Sequence, residues 1–164
     1  SAEETNKCAE TKDEAKKDEN KTVAAGTVKK ELCSPFTGVA APIEEACDEA
    51  FAGKMMGDGY LVRPEEGMAY APEDATVSFI FPSKHAVGLT SDDGTEYLLH
   101  IGVDTVNLEG DKLIGFDIKY IQEHAKSDEC MVVFTSLQEG EEIRMSKSGK
   151  VEKLEKTAEI VSLN

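Results

Sequence analysis

The chain has 164 residues, enough for one domain with a real core and too few for two comfortable ones. Its formal net charge of −15 argues against nucleic acid or an anionic membrane as partner, because phosphates are gripped by Lys and Arg, and favours a partner with a basic face. No apolar run approaches the roughly eighteen residues of a membrane span, and the N-terminus lacks a signal-peptide core, so a soluble segment without an export signal is expected.

Residues 1–31 hold eight acidic and seven basic side chains, and up to Lys21 there is no Ile, Leu, Val or aromatic residue. Such a stretch buries too little apolar surface to offset its ordering entropy, so it is expected to be a charged flexible linker or arm ahead of a domain at 32–164. The arm carries only −1 of the net charge, which leaves −14 on the domain. The four cysteines, Cys8, Cys33, Cys47 and Cys130, are scattered without a C-x-x-C pair, and reduced thiols in a cytosolic protein are expected.

From Leu32 onward the texture changes to short apolar runs broken by Gly, Pro and Asp. SPFTGV (34–39) is a Pro-led turn entering a strand, and EEACDEAF near 44–51 predicts a helical turn or two. YLVRP, ATVSFIF, HAVGLT and EYLLHIGV follow as strands separated by turn-formers; APEDATV (71–77) echoes the earlier Pro-led turn and hints at a duplicated β unit. FDIKYIQEHAK (116–126) places Ile118, Ile121 and Ala125 at helical spacing, and CMVVFTSL and AEIVSL close the chain as strands. The pattern is that of an all-β domain. Asp92, Asp93, Asp111 and the run Glu139–Glu142 read as turns, Asp58 between two glycines as structural, and His124 as a solvated side chain.

Two of the three histidines, His85 and His100, flank the turn cluster Ser91-Asp92-Asp93-Gly94. A loop centred between Asp92 and Asp93 sets His85 opposite His100; one centred on Asp93-Gly94 pairs Val87 with His100 and leaves His85 diagonal on the same face. Only a three-residue loop puts the two histidines on opposite faces. In the first two registers the β-carbons come within about 4.5–8 Å, Val87, Leu89 and Leu98 share the face, and Ser83 offers a hydroxyl to one imidazole nitrogen. Three readings remain on these residues alone: two satisfied structural histidines, an incomplete metal site lacking a third ligand, or a nucleophilic imidazole with a phosphate-binding neighbour.

The flanking strings carry a resemblance. FAGKMMGDG (51–59), KHAVGL (84–89) and LHIGVDT (99–105), in this order and within a match running from about residue 33 to the C-terminus, make the chain resemble the glucose-type Enzyme IIA domain of the phosphoenolpyruvate-dependent sugar phosphotransferase system. The resemblance implies an antiparallel β-sandwich with a few short helical turns, of the duplicated hybrid type. It implies that His100 accepts a phosphoryl group on Nε2 from phospho-HPr and passes it to an EIIB domain, with no cofactor beyond the phosphoryl group itself. His85 would contact that group, and Ser83, where many relatives have Thr, would orient His85. Phe51, Met56, Phe81, Leu98 and Val106 would line a shallow apolar depression, with Asp48 and Asp104 facing a cation on HPr. Residues 1–31 would tether the domain, in the cytoplasm, to the EIIB and EIIC parts of a transporter, or form the arm of a free-standing protein; the other parts would set the sugar. Two readings of other classes stand beside this one, a zinc metallohydrolase on a related β scaffold and a regulatory module read out by its phosphorylation state.

One departure is expected to matter. After DTVNLEG the family continues with a strand and a second glycine turn, whereas here Gly110 runs directly into DKLIGFD (111–117), so about one hairpin is missing. The family's Thr-Pro before the VV strand is also replaced, by Cys130-Met131. A sheet edge left uncovered is expected to lower stability or alter docking.

Overall fold

The structure, a computed structural model, describes residues 26–81, 86–101, 107–109, 112–115 and 128–164, the strand segments 107–109 and 112–115 by their backbone. Its strands are β1 (Thr27–Cys33), β2 (Gly38–Pro42), β3 (Asp58–Pro64), β4 (Met68–Tyr70), β5 (Ala75–Ile80), β6 (Ala86–Ser91), β7 (Glu96–His100), β8 (Asn107–Glu109), β9 (Lys112–Gly115), β10 (Cys130–Phe134), β11 (Glu141–Met145), β12 (Gly149–Val151) and β13 (Lys156–Ser162). Between β2 and β3 the chain makes a 3-10 turn (Ile43–Glu45) and a short helix α1 (Glu49–Ala52), where the sequence predicts a helical turn or two. The helix expected at 116–126 lies outside the described residues.

A seven-stranded sheet in the order β12-β2-β3-β10-β7-β6-β5 forms the centre, with three-stranded sheets β1-β13-β11 and β4-β9-β8. Every ladder is antiparallel, as expected for the all-β sandwich. One face of the large sheet contributes Tyr60, Val62, Val87, Leu89, Tyr97, Leu99, Val132 and Phe134 to the main core, which Leu32 of β1 and Ala158 and Ile160 of β13 close. The other face carries a second cluster, in which Leu61, Ala86, Leu98, Met131 and Val133 are covered by Ile43, Ala46 and Phe51. Because both faces are covered, β10 (CMVVF) is buried throughout and reads as a continuous apolar run rather than an alternating one. Each fully buried Leu or Phe contributes about 1.5–3 kcal/mol, which is what holds the 43–52 segment down on the sheet.

β1 begins at Thr27, inside the stretch assigned to the arm. Local composition does not show this, because one of the two lysines of TVKKELC, Lys30, is neutralised by acids distant in sequence. Lys30 Nζ lies 2.9 Å from Glu73 Oε1 and 2.8 Å from Asp93 Oδ2, while Leu32 sinks into the core. Of the four expected thiols, Cys33 and Cys130 are free, but Cys47 is disulfide-bonded. Asp58 is structural as expected: its carboxylate accepts from Gly59 N at 2.8 Å and Ile143 N at 2.9 Å, tying β3 to β11 across the two sheets.

The β6–β7 hairpin takes the third register; the ladder starts at Ala86, so it fixes the faces of β6 from that residue onward and not that of His85, which lies outside the described residues. Ala86 pairs with His100, Val87 with Leu99 and Gly88 with Leu98, around a three-residue loop. The cause is the turn itself. Asp93 Oδ1 accepts from Ser91 Oγ (2.5 Å), Thr95 Oγ1 (2.7 Å) and Thr95 N (3.1 Å), and Gly94 takes the left-handed conformation at φ 93° that such a loop requires. Val87 and Leu89 therefore belong to the main core, not to the face of His100. The face-mates of His100 are Ala86, Gly88 and Leu98.

Beyond Asn107 the backbone forms the antiparallel pair β8–β9, with Glu109 the register partner of Lys112, while Gly110 and Asp111, where the departure is expected, lie outside the described residues. At the end of the large sheet β5 pairs only with β6 among the described residues, and Val77, Phe79 and Ile80 are exposed there.

Candidate functional site

His100 is the last residue of β7, an inner strand of the large sheet, with Ala86 of β6 on one side and Met131 of β10 on the other. It lies on the sheet face that α1 covers, and it is only half-buried. The small side chain of Ala86 and the absent one of Gly88 keep this part of the sheet shallow, so the imidazole is supported without being roofed. Phe51 of α1 supplies the support: its ring centroid lies 5.0 Å from that of His100, with the planes at 56°. Tilted contacts of this kind suit the aromatic quadrupole and narrow the range of ring orientations.

Asp48 places Phe51. Its Oδ1 accepts from Ala50 N at 2.8 Å, and its carbonyl accepts from Phe51 N at 3.1 Å and Ala52 N at 2.9 Å, an Asp N-cap on a one-turn helix. Asp48 is itself exposed and presents a carboxylate at the rim. The chain then turns sharply through Gly53–Gly57, with Lys54 left-handed at φ 60°. Lys54 Nζ lies 3.0 Å from Glu44 Oε2 and 3.5 Å from Asp58 Oδ1. Partial burial alone would lower its pKa, but the hydrogen bond that Lys54 donates to Glu44, with Asp58 beside it, raises it. Beyond this turn Met55 and Met56 stand out from the surface, 79% and 51% exposed, which makes Met56 a surface side chain rather than a core one.

Leu98, two residues before His100, is buried in the apolar cluster beneath the site. Phe81 follows β5; its N–H donates to Ala86 O at 3.0 Å, and its ring meets Phe79 edge-on at 5.3 Å. Phe79 in turn lies over Gly88, where an added Cβ would come within 2.2 Å of its ring. The structure thus gathers His100 and Phe51 in direct contact, with Leu98 beneath the same face, Asp48 capping the helix that carries Phe51, and Phe81 just past the end of β5, the strand next to β6. His85, Ser83, Asp104 and Val106 lie outside the described residues, as do Asp111 and His124.

Two neighbours were not singled out from sequence. Glu129, immediately before β10, has its side chain buried, with Arg63 Nε 3.7 Å from its Oε2 and Cys47 N donating to its Oε1 at 2.9 Å. The available signal was an acid directly abutting the run CMVVF. The other is Ala86, whose importance depends on the hairpin register. Among the described residues no group of three or more His, Cys, Asp or Glu is placed to hold a metal ion.

A half-buried imidazole at the end of an inner strand, set against an aromatic ring and near the exposed carboxylate of Asp48, presents a nucleophilic ring on a shallow face rather than in an enclosed cavity. Comparison with known proteins shows the family of the chain. The family model described as phosphoenolpyruvate-dependent sugar phosphotransferase system, EIIA 1, matches residues 30–140, and the chain belongs to that family. The glucose permease IIA from Mycoplasma capricolum is a similar solved structure, with 27% sequence identity and a TM-score of 0.68 over 79% of this chain and 94% of that one. The protein is an EIIA domain of the glucose type with a phosphocarrier role in a sugar phosphotransferase system. Neither match supports a zinc hydrolase.

Proposed function

We propose that His100 is the phosphoryl acceptor of this domain. Its Nε2 lone pair attacks the phosphorus of phosphorylated HPr, the P–N bond to the donor histidine breaks, and the donor imidazole leaves with the electron pair. The reverse attack, by a nucleophile of an EIIB domain, then cleaves the bond to His100. Phosphoryl transfer of this kind demands in-line placement and stabilisation of charge on the equatorial oxygens more than covalent help from the protein. The observation that carries the reading is the contact between Phe51 and His100 at the open end of β7, which holds a nucleophilic ring in one orientation while leaving it accessible. No cofactor is required, since the transferred group is carried covalently.

His85 supports the leaving step by contacting the phosphoryl oxygens, and Ser83 orients His85. Asp48 and Asp104 meet a cation of HPr, while Met56, Phe81 and Val106 form the apolar contact over a floor supplied by the buried Phe51 and Leu98. The net charge of −15 suits a basic donor and speeds its encounter. The charged stretch ahead of β1 connects this domain to EIIB and EIIC parts in the cytoplasm; among the described residues no helix is long and apolar enough to cross a membrane. Incubation with phosphoenolpyruvate, Enzyme I and HPr is expected to give an acid-labile, base-stable adduct. For His85→Gln, loading should survive while transfer to EIIB collapses, and unchanged transfer would remove His85 from the mechanism.

A further inference from the structure

Glu129 is the charged side chain that the site described above leaves unused. A carboxylate whose side chain is 1% exposed, beside the apolar cluster under His100, is costly unless it is paired and hydrogen-bonded. A buried ion pair does little for stability that packed apolar side chains would not do as well, so its retention points to a positional task. Its partners show what that task is. Arg63 of β3, 11% exposed, sets its Nε 3.7 Å from Oε2 and supplies the counter-charge. Oε1 accepts from Cys47 N at 2.9 Å, across a sequence separation of 82 residues.

Cys47 immediately precedes the N-cap of α1, and the four residues from Asp48 to Phe51 form one hydrogen-bonded turn. Asp48 Oδ1 takes Ala50 N at 2.8 Å, and Asp48 O takes Phe51 N at 3.1 Å. Fixing the Cys47 amide therefore fixes the start of a short rigid unit whose other end is the ring at 5.0 Å from His100. Glu129 also abuts β10, whose Met131 is the cross-strand neighbour of His100, so one strand bears on the imidazole from two directions.

We propose that Glu129 is a positioning residue for phosphoryl transfer: its buried carboxylate, balanced by Arg63, holds the Cys47 amide so that α1 sets Phe51 against the His100 ring. The inference rests on His100 being the phosphoryl acceptor.

Two double variants of the full chain separate positioning from simple stability. Arg63→Met with Glu129→Gln removes both charges but keeps an acceptor for Cys47 N. Arg63→Met with Glu129→Leu removes the acceptor as well. The readouts are the nuclear Overhauser contact between the Phe51 and His100 rings and the rate of phosphoryl uptake from phospho-HPr. The Gln pair should keep the ring contact and load within about twofold of the parent. The Leu pair should lose the contact and load about tenfold more slowly, and adding Phe51→Leu to it should cost little more. If both pairs keep the contact and the rate, or both lose them equally, Glu129 does not act through Cys47 and the proposal is overturned. His100→Ala, run alongside, distinguishes the underlying reading: label on that variant would refute His100 as acceptor, whereas normal loading of the Leu pair refutes only the role of Glu129.

Discussion

The Phe51 ring meets the His100 imidazole at a centroid distance of 5.0 Å and an angle of 56°, so the helix after β2 is coupled to the end of β7 through two side chains. If this contact sets the ring orientation, replacing the ring by an aliphatic group of similar bulk should separate packing from chemistry. Phe51→Leu is expected to cost less than about 1.5 kcal/mol in a denaturant melt. Phosphoryl uptake should nevertheless slow several-fold. An unchanged rate would make the contact a matter of packing alone.

Two glycines on the sheet should respond differently to a methyl group. At Gly59 a Cβ would sit 1.9 Å from Val132 O, a backbone atom of the paired strand, so the β3–β10 seam would have to open. Gly59→Ala is expected to lower stability by about 1–3 kcal/mol or more, as overpacking does. At Gly88 the Cβ would instead meet the ring of Phe79 at 2.2 Å, a side chain 47% exposed and free to swing outward. Gly88→Ala should therefore shift the denaturation midpoint less, while weakening the Phe79–Phe81 edge contact beside the site. Equal midpoints for the two variants would contradict this.

Acid should loosen the hairpin that carries His100. Asp93 is held well below the usual carboxylate range, first by the hydrogen bond from Lys30 and then by those from Ser91 and Thr95. A carboxyl depressed in the folded state contributes stability that is present above its unfolded pKa of about 3.9 and is lost as pH falls through the folded value. Glu155, lowered by Lys147, adds to the same slope. Stability measured from pH 5 downward is expected to fall more gently in Asp93→Asn than in the parent. Parallel curves would show that the clamp contributes nothing to folding.

The open edge at β5 has a testable cost. ATVSFI carries no charge, and Val77, Phe79 and Ile80 are exposed on a strand with one open side among the described residues. Unprotected edges of this kind recruit other strands, and an added Lys blunts them. Val77→Lys is expected to reduce self-association in light scattering at high protein concentration without lowering the melting temperature appreciably. Identical scattering would place any association elsewhere.

Much of this architecture is legible in the residues, and the exceptions have physical causes. EYLLHIGV, CMVVFTSL and AEIVSL mark β7, β10 and β13, because runs of branched and aromatic residues between turn-formers have few other uses. β1 is hidden, since Lys29 and Lys30 look like arm residues, and the acids that pair with Lys30, Glu73 and Asp93, arrive from loops far along the chain. The hairpin register is hidden for a similar reason. It depends on three hydrogen bonds to one oxygen of Asp93 and on the backbone of Gly94, not on apolar alternation, which both strands satisfy in any register. The site is legible in a different way. Spacing alone left the two histidines open to core, metal or phosphate readings, and the strings around them carried the family. Phe51, Asp48 and His100 could be named from that resemblance, but nothing local announced that Glu129 and Arg63 would meet Cys47.

Phosphoryl labelling of position 100 tests the central claim most directly. The full chain and His100→Ala are incubated with labelled phosphoenolpyruvate, Enzyme I and HPr, and the site of label is located by peptide mapping under alkaline conditions. The parent should carry one phosphoryl group on His100, and the variant, folded by its melting profile, should carry none. A labelled His100→Ala chain, or label in the parent at any other residue, would contradict the account.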